Sequence, residues 1–241
     1  MYYGSDGTST SFPSCGSSFF YIGRMGIGTT ANGVTEGGYF NQTLANTAYN
    51  QDGIWGYWYL LGPAGDPNNN YTTAEAYTWG QTQAKATAKQ YYSIRENYYV
   101  GIGETVYGDV ESGSTWLPYN QSYSTGYTGK ELNQKVWEGW YNEMNTQAVG
   151  NSGPYPGLYT NETWYSIMGN ATPGSFGVAS GTPLWWASWI ADGSTPPACP
   201  TSLNENVASP DIPGALETFW QYYSDQPNGS TPDYDAATTL S

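Results

Sequence analysis

Extended apolar runs alternate in this chain with helices whose first turns are spelled out, and that alternation limits the fold more than any other feature. Tyr2 to Asp6 is a short extended start, and Phe19-Phe20-Tyr21-Ile22-Gly23-Arg24-Met25 reads as a buried strand ending at Gly26. A weak helical stretch around Leu44, Ala45, Ala48 and Tyr49 stops at Asp52-Gly53, and Ile54 through Leu61 is the next strand, halted by Gly62-Pro63. Thr72 with Glu75 forms a capping box: the threonine oxygen takes the N–H three residues on while the glutamate reaches back to the cap. The helix it opens is expected to run to about Tyr92, and an extended run from Tyr98 to Glu111 follows. Thr128 with Glu131 opens a second helix carrying Leu132, Val136, Trp137, Trp140, Tyr141 and Met144 on one face, a stripe read as core. Pro154-Tyr155-Pro156 leads into Gly157-Leu158-Tyr159-Thr160, and Asn161 caps a short helix through Met168, ended by Gly169. Beyond it, Leu184-Trp185-Trp186-Ala187-Ser188-Trp189 and Thr218-Phe219-Trp220-Gln221-Tyr222 read as strands with no clear helix between them. Repeated βα units with short connections imply a parallel sheet, and several in succession imply a TIM-like (β/α) barrel. No linker interrupts the pattern, so residues 1–241 are expected to form a single domain.

In such barrels the active site sits at the C-terminal ends of the strands. There the long extended run presents Asp109-Val110-Glu111 before breaking at Ser112-Gly113-Ser114. Side chains two apart on a strand share a face and stand roughly 6–7 Å apart at ~3.3 Å rise per residue. Two carboxylates held that close oppose each other's ionisation, so one keeps its proton toward neutral pH, as a general acid must. Cleavage of a glycosidic bond requires such a pair. Asp-x-Glu is a common triplet that more often ends a solvated strand, so the rest of the chain has to decide.

Composition narrows the chemistry. The chain has no histidine, which excludes His-based triads, His-ligated zinc and the usual near-neutral proton shuttle. Acid–base work must fall to carboxylates, with tyrosine as a lesser option. Six Lys and Arg stand against 20 Asp and Glu, a net charge of -14 that argues against nucleic acid as a partner. Charged residues make up 11% and aromatics 17%, a folded composition with rings to spare for stacking on sugars. In acid the carboxylates would neutralise and leave only Arg24, Lys85, Lys89, Arg95, Lys130 and Lys135 charged, so self-repulsion would stay small and an acidic medium is an expected habitat. No apolar stretch reaches 18 residues, so no membrane span is expected. Met1-Tyr2-Tyr3-Gly4 does not look like a signal peptide, which leaves a processed form as one expectation. Cys15 and Cys199, the two cysteines, are a candidate disulfide of a secreted or cell-surface protein, worth ~4–5 kcal/mol on the chain-entropy model; two unpaired thiols are the alternative. Glycosylation sequons stand at Asn41, Asn70, Asn120, Asn161, Asn170 and Asn228.

The order of these motifs resembles that of the family 25 glycoside hydrolases, the lysozymes (muramidases) that cut bacterial cell-wall glycan. Gly4-Ser5-Asp6 resembles the family's first strand, Ile54-Trp55-Gly56-Tyr57-Trp58-Tyr59 its third and Tyr107-Gly108-Asp109-Val110-Glu111 its fourth. Pro156-Gly157-Leu158-Tyr159-Thr160-Asn161 is similar to its fifth, and Leu184 through Trp189 to its sixth. Trp220-Gln221-Tyr222, with Asp233-Tyr234-Asp235 further on, is similar to its closing motifs. The resemblance implies an irregular barrel, about five βα units followed by strands with few helices. It also implies a monomer that hydrolyses peptidoglycan or a related N-acetylated glycan, with no metal and no cofactor. By the same resemblance Glu111 is the general acid, and Asp109 orients or stabilises the transition state, assistance to the substrate's own N-acetyl group being one route. Asp6 and one of Asp233 or Asp235, with Asp233 preferred, complete the acidic cluster. Tyr57, Trp58, Tyr59, Tyr159, Trp185 and Gln221 would line the groove. The chain departs from the family's pattern in the loop after Asp6, in an apparent insertion from Thr115 to Gly129, and in the long stretch from Pro196 to Pro213. A glycan-binding or cell-envelope surface protein on the same barrel, without catalysis, is the alternative expectation.

Overall fold

The computed structural model describes residues 1–6, 12–16, 18–31, 40, 42–98, 101–113, 115–149, 153–169, 178–192, 198–202, 212–224 and 233–237. Their elements run β1 (Tyr2–Asp6), β2 (Phe19–Ile27), a two-residue β3 (Thr30–Ala31), α1 (Gln42–Tyr49), β4 (Gly53–Tyr59), α2 (Thr73–Tyr98) and β5 (Ile102–Val110). Next come α3 (Gly129–Ala148), β6 (Tyr155–Thr160), α4 (Thr163–Met168), β7 (Thr182–Asp192), β8 (Ala215–Ser224) and β9 (Asp233–Ala237). Pairing passes from β1 through β2, β4, β5, β6, β7, β8 and β9 and back to β1, closing an eight-stranded barrel with β3 as a hairpin on β2. All neighbours are parallel except β9, which runs antiparallel between β8 and β1. The α/β barrel with few helices expected from the sequence is the architecture observed. Four strands, β2, β4, β5 and β6, are followed by a described helix, where about five βα units were expected.

Strand alternation sorts the side chains into two cores. Phe20, Ile22, Trp55, Tyr107, Tyr159, Trp185, Ala187 and Phe219 fill the lumen. The intervening residues Tyr21, Ile54, Trp58, Val106, Val110, Leu158, Leu184 and Trp186 join the outer layer, where α1, α3 and α4 contribute Leu44, Trp137, Trp140, Met144 and Trp164. At the first helix start Thr72 Oγ1 accepts from Glu75 N at 3.3 Å and donates to Glu75 Oε2 at 2.7 Å, and at the second the full box is present, Thr128 and Glu131 satisfying each other's backbone N–H groups. The second-helix stripe is core, as expected, with Trp137 edge-on to Trp164 at 5.8 Å. Helices α2 and α3 cross closely because each brings a glycine to the contact: a Cβ at Gly80 would lie 2.1 Å from Val136 O, and one at Gly139 2.1 Å from Tyr77 O.

Two boundaries differ most from the expectation, by four residues or more. Helix α2 continues past Tyr92 because Tyr91 and Ile94 are still buried at helical spacing, so Tyr98 ends a helix and β5 starts only at Ile102. Tyr99, Val100 and Ser114 lie outside the described residues. The 115–129 segment folds over the α2 and α3 starts, where Tyr71 stacks on Tyr123 at 4.6 Å and Asn133 binds both the N–H and the carbonyl of Leu117. Cys15 and Cys199 form the disulfide, with Cα atoms 5.9 Å apart and a sequence separation of 184. Residues 7–11 and 17 of the loop after Asp6, most of 196–213 and the sequons at Asn41, Asn170 and Asn228 lie outside the described residues. No helix among the described residues is long and apolar enough to cross a membrane.

Candidate active site

At the C-terminal mouth of the barrel lies a cleft of about 320 Å³ lined by Asp6, Tyr57, Asp109, Glu111, Tyr159, Trp185, Trp189, Gln221, Ser224 and Asp233. Its acids come from separate strands. Asp6 ends β1 and pairs in register with Asp233 at the start of β9, while Asp109 lies on β5 and Glu111 just past it. The parallel run of β1 and β5 and the reversed run of β9 bring these positions to one end. Tyr57, Tyr159 and Trp185 form the wall: Trp185 lies 4.3 Å from Tyr159 and edge-on to Tyr57 at 5.6 Å, centre to centre.

Gln221 organises one side of the cleft. Its Oε1 accepts from the Trp189 indole N–H at 2.8 Å and from the Tyr159 hydroxyl at 3.1 Å. An indole N–H can only donate, which fixes the amide orientation. The Nε2 therefore faces the acids and donates to Asp6 Oδ2 at 3.1 Å and Asp233 Oδ2 at 3.4 Å.

Burial dominates the electrostatics, because a charged carboxyl loses hydration that the aromatic wall does not return. Glu111 is pushed up to about 7, first by burial; Arg24 opposes the rise and Asp233 adds to it. Asp109, 3% exposed, is raised by burial and by the charge of Glu111, again against Arg24. Asp6 is raised by burial and by Asp235 and Asp233, with the Gln221 hydrogen bond pulling it down. Burial and the same carboxylates hold the Tyr57 and Tyr159 phenols protonated. Asp6 Oδ1 and Asp109 Oδ1 are buried with no hydrogen-bond partner among the described residues, so each has acceptor capacity to spare.

Several expected groove residues stand elsewhere. Trp58 does not line the cleft: successive side chains on a strand point to opposite faces, so Tyr57 enters the lumen while Trp58, fully buried, turns to the helix layer and donates to Gly28 O at 3.0 Å. Tyr59 shares the face of Tyr57 but stands beside the cleft, with the Arg24 guanidinium 5.0 Å from its ring centre. Asp235 shares the face of Asp233 one pleat deeper, opposite Gly4, where it accepts from Trp185 Nε1 at 2.8 Å. It is a buried acid beneath the wall rather than a lining residue. Arg24, Trp189 and Ser224 belong to the site and were not singled out as site residues from sequence. Arg24 and Trp189 had a readable signal, since each stands at or next to the C-terminal end of a run already assigned to a barrel strand; Ser224 had none. Among the described residues, no group of three or more His, Cys, Asp or Glu is placed to hold a metal ion.

No protein-family model matches the chain, and no curated protein does. Among solved structures it is similar to the modular autolysin LytC from Streptococcus pneumoniae at 1.6 Å resolution (TM-score 0.47, 15% identity). The same autolysin in complex with a synthetic peptidoglycan ligand also matches (TM-score 0.45, 14% identity). Each match covers 90% of this chain and 40% of the autolysin, so the chain spans less than half the length of the protein it matches. Likeness at this level carries no residue's role across.

Proposed function

We propose that this protein is a glycosidase that cleaves cell-wall peptidoglycan or a related N-acetylated glycan outside the cell by carboxylate acid–base catalysis. The observation that supports it best is the convergence of Asp6, Asp109, Glu111 and Asp233 on one aromatic-walled cleft, with Glu111 held protonated up to about 7. Glu111 donates its proton to the glycosidic oxygen as the bond to the departing sugar breaks; the anomeric carbon is captured by the substrate's own acetamide oxygen or directly by water, and the water that completes hydrolysis returns a proton to Glu111. Asp109, on the same face, orients the substrate's acetamide or stabilises the transition state by hydrogen bonding. Gln221 keeps Asp6 and Asp233 in place, and Tyr57, Tyr159 and Trp185 present their rings to the sugar. The disulfide suits an oxidising, extracellular setting.

Clearing of Gram-positive cell walls, followed by turbidity at several acidic pH values, tests the reading. Glu111→Gln should lower turnover by about 10²–10⁴-fold, the usual worth of a general acid, with glycan affinity held within a few-fold. Near-normal clearing by that variant would overturn the assignment. Asp109→Asn should lower the rate less, with the alkaline limb of the pH profile staying near the Glu111 value of about 7.

A further inference from the structure

The cleft continues beyond the acids. Trp189, 43% exposed, is shared between the acid cleft and a second hollow of about 390 Å³. Ser112, Asn161, Glu162, Thr163 and Trp186 line that hollow with it. Two of these carry polar groups without a hydrogen-bond partner among the described residues: the indole N–H of Trp186, itself 4% exposed, and the Thr163 hydroxyl. A buried polar group left unpaired costs about 1–3 kcal/mol, and an incoming hydroxyl or carbonyl oxygen supplies what is missing. The Trp189 indole is already fixed by its bond to Gln221, so little side-chain freedom remains to be lost when a ring settles on it. Among the described residues no Lys or Arg lines the hollow and Glu162 adds negative charge, which disfavours an anionic occupant.

We propose that this hollow is a binding subsite for a neutral, acetamido-bearing pyranose of the same glycan, stacked on Trp189 next to the unit held at Glu111. The proposal rests on the glycosidase reading for its ligand class, and binding measurements separate the two. The probe is a series of β-1,4-linked N-acetylglucosamine oligomers, from dimer to hexamer, titrated calorimetrically into the Glu111→Gln protein. Affinity should rise with length, and Trp189→Ala in that background should cancel one step of the rise, weakening the longest oligomer by about tenfold and the dimer less. Trp189→Phe, which keeps a ring face but loses the bond to Gln221, should restore most of the loss, and Thr163→Val should give a smaller loss of the same length dependence. Equal weakening at every length would place the effect in the Gln221 clamp and overturn the subsite, as would no effect of Trp189→Ala or no binding by any oligomer. If wild-type protein clears no cell walls, the glycosidase reading fails while the same titration series still decides the subsite.

Discussion

The two ends of the barrel lumen are built on the same strands and show opposite physics. At the floor, Phe219 lies 4.9 Å from Phe20, 5.3 Å from Trp55 and 5.6 Å from Tyr107, a cluster with almost no polar content. Two residues further along those strands, Tyr107 gives way to Asp109 and Phe219 to Gln221, and the mouth becomes a ring of amide and carboxyl groups. Each floor ring contributes about 1.5–3 kcal/mol through burial. Asp6, Asp109 and Glu111 at the mouth instead give up hydration against few hydrogen bonds, and their raised pKa values record that cost. The floor makes the closed barrel stable enough to hold the mouth in a state it would not choose alone, which is where local rules are expected to be broken for function.

The comparison breaks most readily at the floor. Phe219→Ala should cost about 3–5 kcal/mol of stability in a denaturant titration, since it removes the ring shared by the three contacts above. A loss well under 1 kcal/mol would mean the floor is not what holds the barrel shut. Acidity probes the mouth with a smaller effect. A carboxyl whose folded pKa lies above its unfolded value binds more protons in the folded state, so stability is fully present below the unfolded pKa and falls as pH rises toward the folded one. Asp6, Asp109, Glu111 and Asp235 are all raised, so the melting temperature should be highest near pH 4 and decline as pH rises through about 7. A melting temperature that climbs over this range would contradict the burial of the mouth. The smallest change is expected from Asp235→Asn: the amide oxygen still accepts from the Trp185 indole while one ionisable group disappears, so the pH-dependent decline should become shallower. An unchanged slope would remove Asp235 from the set of costly acids.

Much of this was legible before any coordinates. Thr72/Glu75 and Thr128/Glu131 placed two helix starts because capping is a local exchange of hydrogen bonds within four residues. The α2 end was misjudged because its last turns are held by the burial of Tyr91 and Ile94, and burial is a tertiary property. Trp58 was misplaced for a different reason: three consecutive aromatics were assigned to one groove, which strand alternation forbids.

The sequence by itself determined that Asp109 and Glu111 share a face, as do Asp233 and Asp235, because a strand repeats every two residues whatever surrounds it. Depth within the barrel was decided by the tertiary structure. Asp233 meets Asp6 at the mouth and Asp235 meets Gly4 a pleat below, and only closure of β9 against β1 sets that register. The same closure brought Gln221 to Asp6 across 215 residues and placed Arg24 and Trp189 around the acids. Periodicity names the residues that travel together; the pairing of distant strands chooses which of them face the cleft.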